Sequence, residues 1–349
     1  KCPQIFIYST DIYKIHTNII KAKVCMCVCV YVCMFVTPSR SNGKAKIICF
    51  CFIQGEDDMR QDAVMQQVFN IVNTLLEKDP VTSRNKLLIR TYKVVPMSKQ
   101  SGVLEWCAGT VPIGTYLVNA HMQYRPQMRK SNKEKLALFM DILREFRPVF
   151  HYFFTEHFLD PVTWYERRLA YTKSVATSSM VGYIIGLGDR HVQNILVDKR
   201  TAEVIHIDFG IAFDQGQTLR TPETVPFRLT QDVVAGFGSS GVEGIFRGCC
   251  EKTMQLLRDN SEILLTILEV LLCDPLCSWT FYFKKKRSTT GANSGLAERA
   301  LLAVSSKLSG TEGGVAGGVA VPGQVARLLT AAADPANLCR LFPGWQPYL

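Results

Sequence analysis

Two short runs constrain this chain more than any other part of it: Gly188-Asp189-Arg190-His191-Val192-Gln193-Asn194, and His206-Ile207-Asp208-Phe209-Gly210. Ile195-Leu196-Val197 between them is apolar and β-prone, Asp198-Lys199-Arg200-Thr201-Ala202 is polar and turn-like, and Val204-Ile205-His206-Ile207 is β-prone again. The pattern predicts a β-hairpin. Antiparallel pairing then brings Asn194, just before the first strand, beside Asp208, just after the second. An amide oxygen and a carboxylate meet at one open end. Such a pair suits Mg²⁺, a hard cation that takes oxygen ligands and keeps sites for phosphate; Mn²⁺ fits the same donors.

Asp189 stands five residues before Asn194, the interval between the catalytic Asp and the metal-binding Asn of protein kinases. A lone Asp-Phe-Gly carries little weight, since Asp and Asn are also ordinary turn formers. The combination of loop, hairpin and Asp-Phe-Gly points to phosphoryl transfer.

The order in the loop is Asp-Arg-His where ordinary protein kinases have His-Arg-Asp. This order resembles the phosphatidylinositol 3-kinase-related kinases. Arg60-Gln61-Asp62, Gly102-Val103-Leu104-Glu105-Trp106-Cys107, Thr221 to Thr230 and Leu341-Phe342-Pro343-Gly344-Trp345 are similar to the ataxia-telangiectasia mutated branch of that family. The resemblance runs from about Gly55 to about Trp345 and weakens between Phe281 and Gly318. It implies an α+β, bilobal kinase-like fold with a truncated N-lobe, a mostly helical C-lobe and a short helical FATC tail. The expected divisions are 53–103 for the N-lobe remnant, 104–285 for hinge and C-lobe, 286–316 for a linker and 317–349 for FATC.

By matched position, the resemblance assigns Asp208 and Asn194 to Mg²⁺ and Asp189 to orienting the acceptor hydroxyl. His191 either stabilises the transferring γ-phosphoryl or shares the base role. Leu104, Glu105, Trp106 and Cys107 become the hinge that binds the adenine of ATP, with Trp106 against the ring; core packing is the plainer role for a Trp. Arg190 is expected to pair with a buried carboxylate, and His206 to pack in the hairpin. Ile211 to Leu229 is the expected activation loop, with Arg220 and Arg228 set against Asp214 and Glu223. It lacks the basic cluster that phosphoinositide headgroups attract, which favours a protein substrate. The resemblance further implies Ser or Thr followed by Gln as the target. It also implies a nuclear site, a role in the DNA-damage response, a double-strand-break sensor complex as partner and a homodimer at full length.

One departure bears on activity. Gln54 stands where the family has an ATP-contacting Lys, and Asp57, which the family pairs with that Lys, is left without it. The upstream run Val24 to Val36, VCMCVCVYVCMFV, is too short to span a bilayer. Alternating Val-Cys is what a GT dinucleotide repeat encodes. Residues 1 to about 52 are therefore expected to be translated non-coding sequence, with a signal-peptide core as the second reading. A catalytically dead scaffold is the alternative to an active kinase.

Composition sets the remaining bounds. The chain has 349 residues, 47% hydrophobic, which suffices for two lobes with cores. The net charge of +10 is scattered apart from Lys284-Lys285-Lys286-Arg287. A nucleic-acid reader would cluster Lys/Arg with aromatics; neither sequence-specific nucleic-acid binding nor membrane binding is expected. Of 13 cysteines, seven fall in the first 51 residues, and the others fit free thiols in a reducing compartment. Cys249-Cys250 does not read as a metal pair, and Cys273 and Cys277 read as small apolar residues.

Local patterning predicts a helix over Asp57 to Glu77 with Val64, Val68, Ile71, Val72 and Leu75 as its apolar stripe. It predicts a strand over Leu87 to Val95 that breaks before Met97, and amphipathic helices over Ser131 to Phe146 and Pro161 to Leu187. Helical segments are also expected over Thr230 to Val270, interrupted at Gly236-Phe237-Gly238, and the Gly/Ser/Ala/Thr-rich stretch Ser288 to Gly323 is expected to include a linker. Leu341, Phe342, Trp345 and Tyr348 are expected to dock the tail. No internal repeats are visible.

Overall fold

The computed structural model describes residues 5–6, 29–37, 46–54, 59–98, 101–124, 135–272, 292–312 and 317–349. For the first three segments only the backbone is considered. The chain divides into two compact units, Lys1–Gln67 with Thr91–Ala108, and Val68–Arg90 with Gly109–Leu349.

The first unit holds β1 (Ile5–Phe6), β2 (Cys29–Thr37) and β3 (Lys46–Gln54), the start of helix α1 (Met59–Lys78), then β4 (Val94–Ser98) and β5 (Ser101–Glu105). The five strands form one sheet in the order β1-β2-β3-β5-β4. From Cys29 onward the Val-Cys run thus has strand backbone, as its β-branched content favours. Gln54 pairs with Ser101 across β3 and β5.

The expected strand at Leu87 to Val95 is displaced. Residues 87–93 carry no strand, and β4 runs on through Met97 to Ser98. The reason is local. Asn73 of α1 receives the Ile89 N–H at 2.8 Å and donates to its carbonyl at 2.8 Å, so a side-chain amide takes the place of a ladder partner. The buried face of α1 is also rotated from the expected stripe. Met65, Val68, Phe69, Val72 and Leu76 are buried, whereas Ile71 and Leu75 are only partly so. Asp57 and Asp58, at the expected start of this helix, lie outside the described residues.

The second unit continues with α2 (Pro80–Arg84), β6 (Thr110–Pro112), α3 (Ile113–Tyr124), α4 (Lys135–Glu145), α5 (His151–His157) and α6 (Pro161–Ile184). Next come β7 (Ile195–Asp198), β8 (Val204–His206), α7 (Gln231–Ala235), α8 (Ile245–Asp259) and α9 (Ser261–Leu272). It closes with α10 (Ala292–Ser309), α11 (Val321–Ala333) and α12 (Pro335–Leu338). β7 and β8 form the expected hairpin, extended by β6 into a three-stranded antiparallel sheet.

Helix α6 begins where Asp160 accepts the Thr163 N–H at 2.8 Å, with Pro161 in the first turn. It is not amphipathic throughout. From Tyr171 to Ile184 every residue except Lys173 is buried, including Ser174, Thr177, Ser178 and Ser179. Small hydroxyl residues let neighbours approach closely; Ser174 Oγ accepts the Val204 N–H of β8 at 3.1 Å, and Thr177 Oγ1 donates to Lys173 O at 2.9 Å. The expected linker is largely a helix: α10 buries Ala297, Ala300, Val304 and Leu308 against α6, α8 and α9. Its small residues mimic a linker in composition, yet their spacing of three and four makes a helical face. Cys273, Cys277 and Lys284 to Arg287 lie outside the described residues. No helix among the described residues is long and apolar enough to cross a membrane.

One buried carboxylate ties α7, α3 and the segment that opens α5. Asp232, fully buried in α7, accepts the Val149 and Phe150 N–H groups at 2.7 and 3.0 Å and faces His121 Nε2 of α3 at 2.8 Å. Asp232→Ala strands all three donors and is expected to cost about 3–5 kcal/mol of stability, read as a lowered urea midpoint.

Candidate active site

The site is built on two chain reversals. After α6 the chain turns at Gly186, whose φ of +62° favours glycine. It then pairs with the segment after Asp-Phe-Gly: Phe213 N–H to Ile185 O, Asp214 N–H to Gly186 O, and Gly188 N–H to Ile211 O, each at 2.9 Å. The loop and the start of the activation segment are thereby joined before any side chain is considered.

Within the loop, Asp189 holds φ +55° and Asp208 φ +59°, left-handed conformations that a non-glycine residue adopts only when its surroundings impose them. Register imposes one part: Ile195 lies opposite His206, and the Ile207 N–H bonds to Asn194 O at 3.1 Å, so Asp208 follows one residue beyond Asn194's partner. Asn194 is buried, and its Nδ2 donates to Asp189 O at 3.0 Å. That bond orients the amide and leaves Oδ1 as the atom for a cation. Asp208 is exposed, with Oδ1 accepting the Gly210 N–H at 3.3 Å. The two oxygen donors fit Mg²⁺ or Mn²⁺ completed by phosphate and water. Among the described residues no cluster of three or more His, Cys, Asp or Glu offers a fuller cage.

His191 Nδ1 accepts the Gln193 N–H at 3.2 Å, which places the ring proton on Nε2. Nε2 lies 3.9 Å from Asp189 Oδ2, and both side chains are partly open to solvent. The Asp189 carboxylate, the His191 imidazole and the oxygen donors of Asn194 and Asp208 thus share one edge of the second unit.

Arg190 is buried. It donates to Gly188 O and Ile207 O at 2.8 Å each, and also to Asp208 O. These bonds go to three backbone carbonyls that the chain reversals leave without ladder partners. A carboxylate is nonetheless near. Glu223 Oε1 accepts the Asp189 N–H at 2.8 Å, and its other oxygen occupies space that a Cβ at Gly188 would fill, 2.6 Å away. Burial pushes the Glu223 carboxyl up, as does Asp189, while the Asp189 N–H and Arg190 pull it down. The Trp345 indole N–H weighs on the same carboxylate without a hydrogen bond of full geometry.

The activation segment departs from expectation. Of its two arginines only Arg220 is exposed; Arg228 is buried. Asp214 is held by Lys307 of α10 at 2.7 Å. A cleft of about 480 Å³ opens beside it, lined in part by Gly188, Asp214, Glu223, Lys307 and Glu312. The hinge residues belong to the first unit. Leu104 and Glu105 lie in β5, Glu105 N–H bonding to Lys93 O at 2.8 Å; Trp106 is 51% exposed, which rules against core packing, and Cys107 is partly exposed. Asp57 lies outside the described residues. Cys249 and Cys250 are free and buried, with burial pushing both thiols up.

The profile of the phosphatidylinositol 3- and 4-kinases matches residues 50–281, and that of the FATC domain matches residues 319–349. The chain belongs to the phosphatidylinositol 3- and 4-kinase family. It is 51% identical over 343 residues to the serine-protein kinase ATM of Sus scrofa, covering 85% of this chain and 11% of that protein. It is 51% identical over 338 residues to the serine/threonine-protein kinase ATM of Drosophila melanogaster, covering 88% and 12%. The solved FAT and kinase domain of CtTel1 superposes with a TM-score of 0.78 at 37% identity, over 90% of this chain and 23% of that one. The chain therefore spans only about a tenth of the curated relatives' length.

The FATC element is docked, through Leu341, Trp345 and Tyr348 as expected and through Arg228, which was expected to face acidic residues of its own loop instead. Arg228 donates to Trp345 O and Gln346 O at 2.8 Å and to the Leu349 backbone oxygen at 2.6 Å, with its guanidinium 4.3 Å from the Trp345 ring centre. It also reaches Arg190 O at 3.4 Å. Leu338, Leu341 and Trp345 pack on Phe139 of α4, with Val225 and Tyr348 at the edge. Phe342, expected to dock, is 61% exposed. The one signal for Arg228 was its place between Phe227 and Leu229 in an apolar run. Arg228→Lys keeps the charge but cannot fork to three oxygens. Hydrogen exchange should accelerate at least tenfold across 335–349 while the α6 core stays protected.

His206 has a buried Nδ1, and burial followed by Arg190 lowers its pKa from 6.5 to about 3. The unfolded chain therefore binds the extra proton first, and stability is lost as pH falls from about 6.5 toward 3. His206→Gln should flatten that part of the stability–pH profile measured by urea titration.

Proposed function

We propose that this chain is the catalytic end of a serine/threonine protein kinase of the DNA-damage response. The reaction is transfer of the ATP γ-phosphate to Ser or Thr followed by Gln. The observation that carries the reading is the convergence of Asp189, His191, Asn194 and Asp208 on one edge, supported by relatives named as serine/threonine kinases. A nuclear site, a break-sensor complex as partner and a homodimer at full length belong to the same reading; CtTel1 has been solved as a dimer with C2 symmetry.

In this mechanism Asn194 Oδ1 and the Asp208 carboxylate hold the divalent ion, which supplies charge neutralisation at the phosphates. The Asp189 carboxylate accepts a hydrogen bond from the acceptor hydroxyl and aligns its oxygen for in-line attack. The proton leaves the hydroxyl toward Asp189. His191 Nε2–H faces the same carboxylate and donates either to it or to a γ-phosphoryl oxygen as charge gathers there. The peptide bonds around Asp189, held by Glu223 and Asn194, keep the carboxylate in place without reorganisation. Trp106 and the strand edge at Leu104 to Cys107 are the adenine contacts of this reading.

Gln54 cannot neutralise phosphate as the family's Lys does, and residues 1 to about 52 are read as translated non-coding sequence. As written, the chain is therefore proposed to transfer phosphate slowly or not at all. Loss of one such contact costs about 10²–10³ in rate. A Ser-Gln peptide assay of the purified chain checks this; robust turnover that Asp208→Ala abolishes would refute it. A second reading, a non-catalytic scaffold, rests on Gln54 alone. It predicts that Gln54→Lys restores no turnover, whereas the kinase reading predicts a gain of at least tenfold. Mg²⁺-dependent nucleotide binding, measured by calorimetry, should weaken at least tenfold in Asp208→Ala under either reading.

A further inference from the structure

Beneath the catalytic hairpin lies a cavity with about 30 Å³ of room for solvent, bounded by α6, β7, β8 and the end of the activation segment. Most of its wall is apolar, including Ile113, Val175, Ile195 and Val233. Three of its lining residues each carry a buried polar atom with no protein partner: Ser178 Oγ, His206 Nδ1 and Arg228 Nε. Ser178 and Arg228 are only 7% and 4% exposed. Three orphaned polar atoms on the residues lining one cavity are uncommon, because buried polar groups are almost always paired.

The free volume exceeds the roughly 10–15 Å³ that a single water needs. The chemistry also matches one water. Arg228 Nε–H can only donate, the neutral imidazole of His206 can accept at Nδ1, and the Ser178 hydroxyl does either. A water accepts from arginine, donates to histidine and completes a third bond with serine, the usual number for a buried water.

We propose that this cavity is a binding site for one ordered water molecule, a fixed part of the fold shared by Arg228, Ser178 and His206. The site joins three functional pieces. His206 lies two residues before Asp208. Ser178 lies on the central helix that leads into the catalytic loop. Arg228 carries the FATC contacts with its other nitrogens, so the water lets its Nε take part without a second carboxylate. The histidine tautomer follows as well: with Nδ1 accepting from water, the ring proton sits on Nε2. None of this depends on whether the chain transfers phosphate.

A high-resolution crystal structure of the chain tests the site directly. The expected result is an ordered water within hydrogen-bond distance of at least two of the three atoms. A dry cavity, a water touching fewer than two of them, or direct bonds among the three atoms would overturn the proposal. Ser178→Ala supplies an independent reading by sign. Deleting an orphaned hydroxyl from a dry void, at a helical position where alanine is favoured, raises Tm. Deleting one of three partners of a bound water lowers it, by about 2–4 °C for a chain of this size class. The expected result is the lowering, with the water retained on Arg228 and His206; an unchanged or raised Tm counts against the site.

Discussion

The Arg190 guanidinium is the contact on which the rest of the site depends. The catalytic loop and the Asp-Phe-Gly turn both leave regular structure where they are most needed, and each leaves carbonyls facing inward. Arg190 collects Gly188 O, Ile207 O and Asp208 O on one planar group. A lysine ammonium could not span three acceptors in fixed directions. The buried charge is tolerated because carbonyl dipoles surround it and Glu223 stands near. Its guanidinium also lies 5.6 Å from the Phe209 ring centre, and that ring meets Phe69 in a T-shaped contact at 5.3 Å. Without this group the hairpin would still pair, but Asp189 and Asp208 would lose their fixed separation.

A second cation extends the same logic to the C-terminal element. Arg228 is buried with no Asp or Glu salt bridge among the described contacts; burial lowers its pKa to about 9, against the pull of Asp232 and Tyr171. Backbone oxygens of Trp345 and Gln346, the terminal carboxyl oxygen of Leu349 and the Trp345 ring surround the charge. Because Arg228 also reaches Arg190 O, the FATC element and the catalytic loop share one hydrogen-bonded group. Lys307 repeats the arrangement from α10, bonding Asp214 and the Tyr183 carbonyl. The segment that resembled a linker is thus part of the frame around the activation segment.

How far this was legible in the residues varies by scale. The hairpin was, since alternation and turn chemistry act within about ten residues. So were Asp189, His191, Asn194 and Asp208, because register alone brings them to one edge. Asn73 against Ile89 was not legible: a side-chain amide replacing a strand partner leaves no periodic trace. Arg190 was read as the partner of a buried carboxylate, and Glu223 stands near it; the three carbonyls it also collects were not legible, because which carbonyls lack partners is knowable only after the chain has turned. Phe342 misled in the opposite sense, since hydrophobicity states a preference and not an address.

The sequence by itself determined which groups the second unit gathers, because residue type and local spacing are enough to place an amide, two carboxylates and an imidazole at one end of a hairpin. It also carried the family, through runs of residues that short-range structure leaves intact. Only the tertiary structure decided what holds those groups still. Glu223 under Asp189, Arg228 between loop and tail, and Lys307 on Asp214 join residues dozens to more than a hundred positions apart. Such contacts depend on which buried polar atoms remain unpaired once the helices have packed, and no local pattern encodes that remainder.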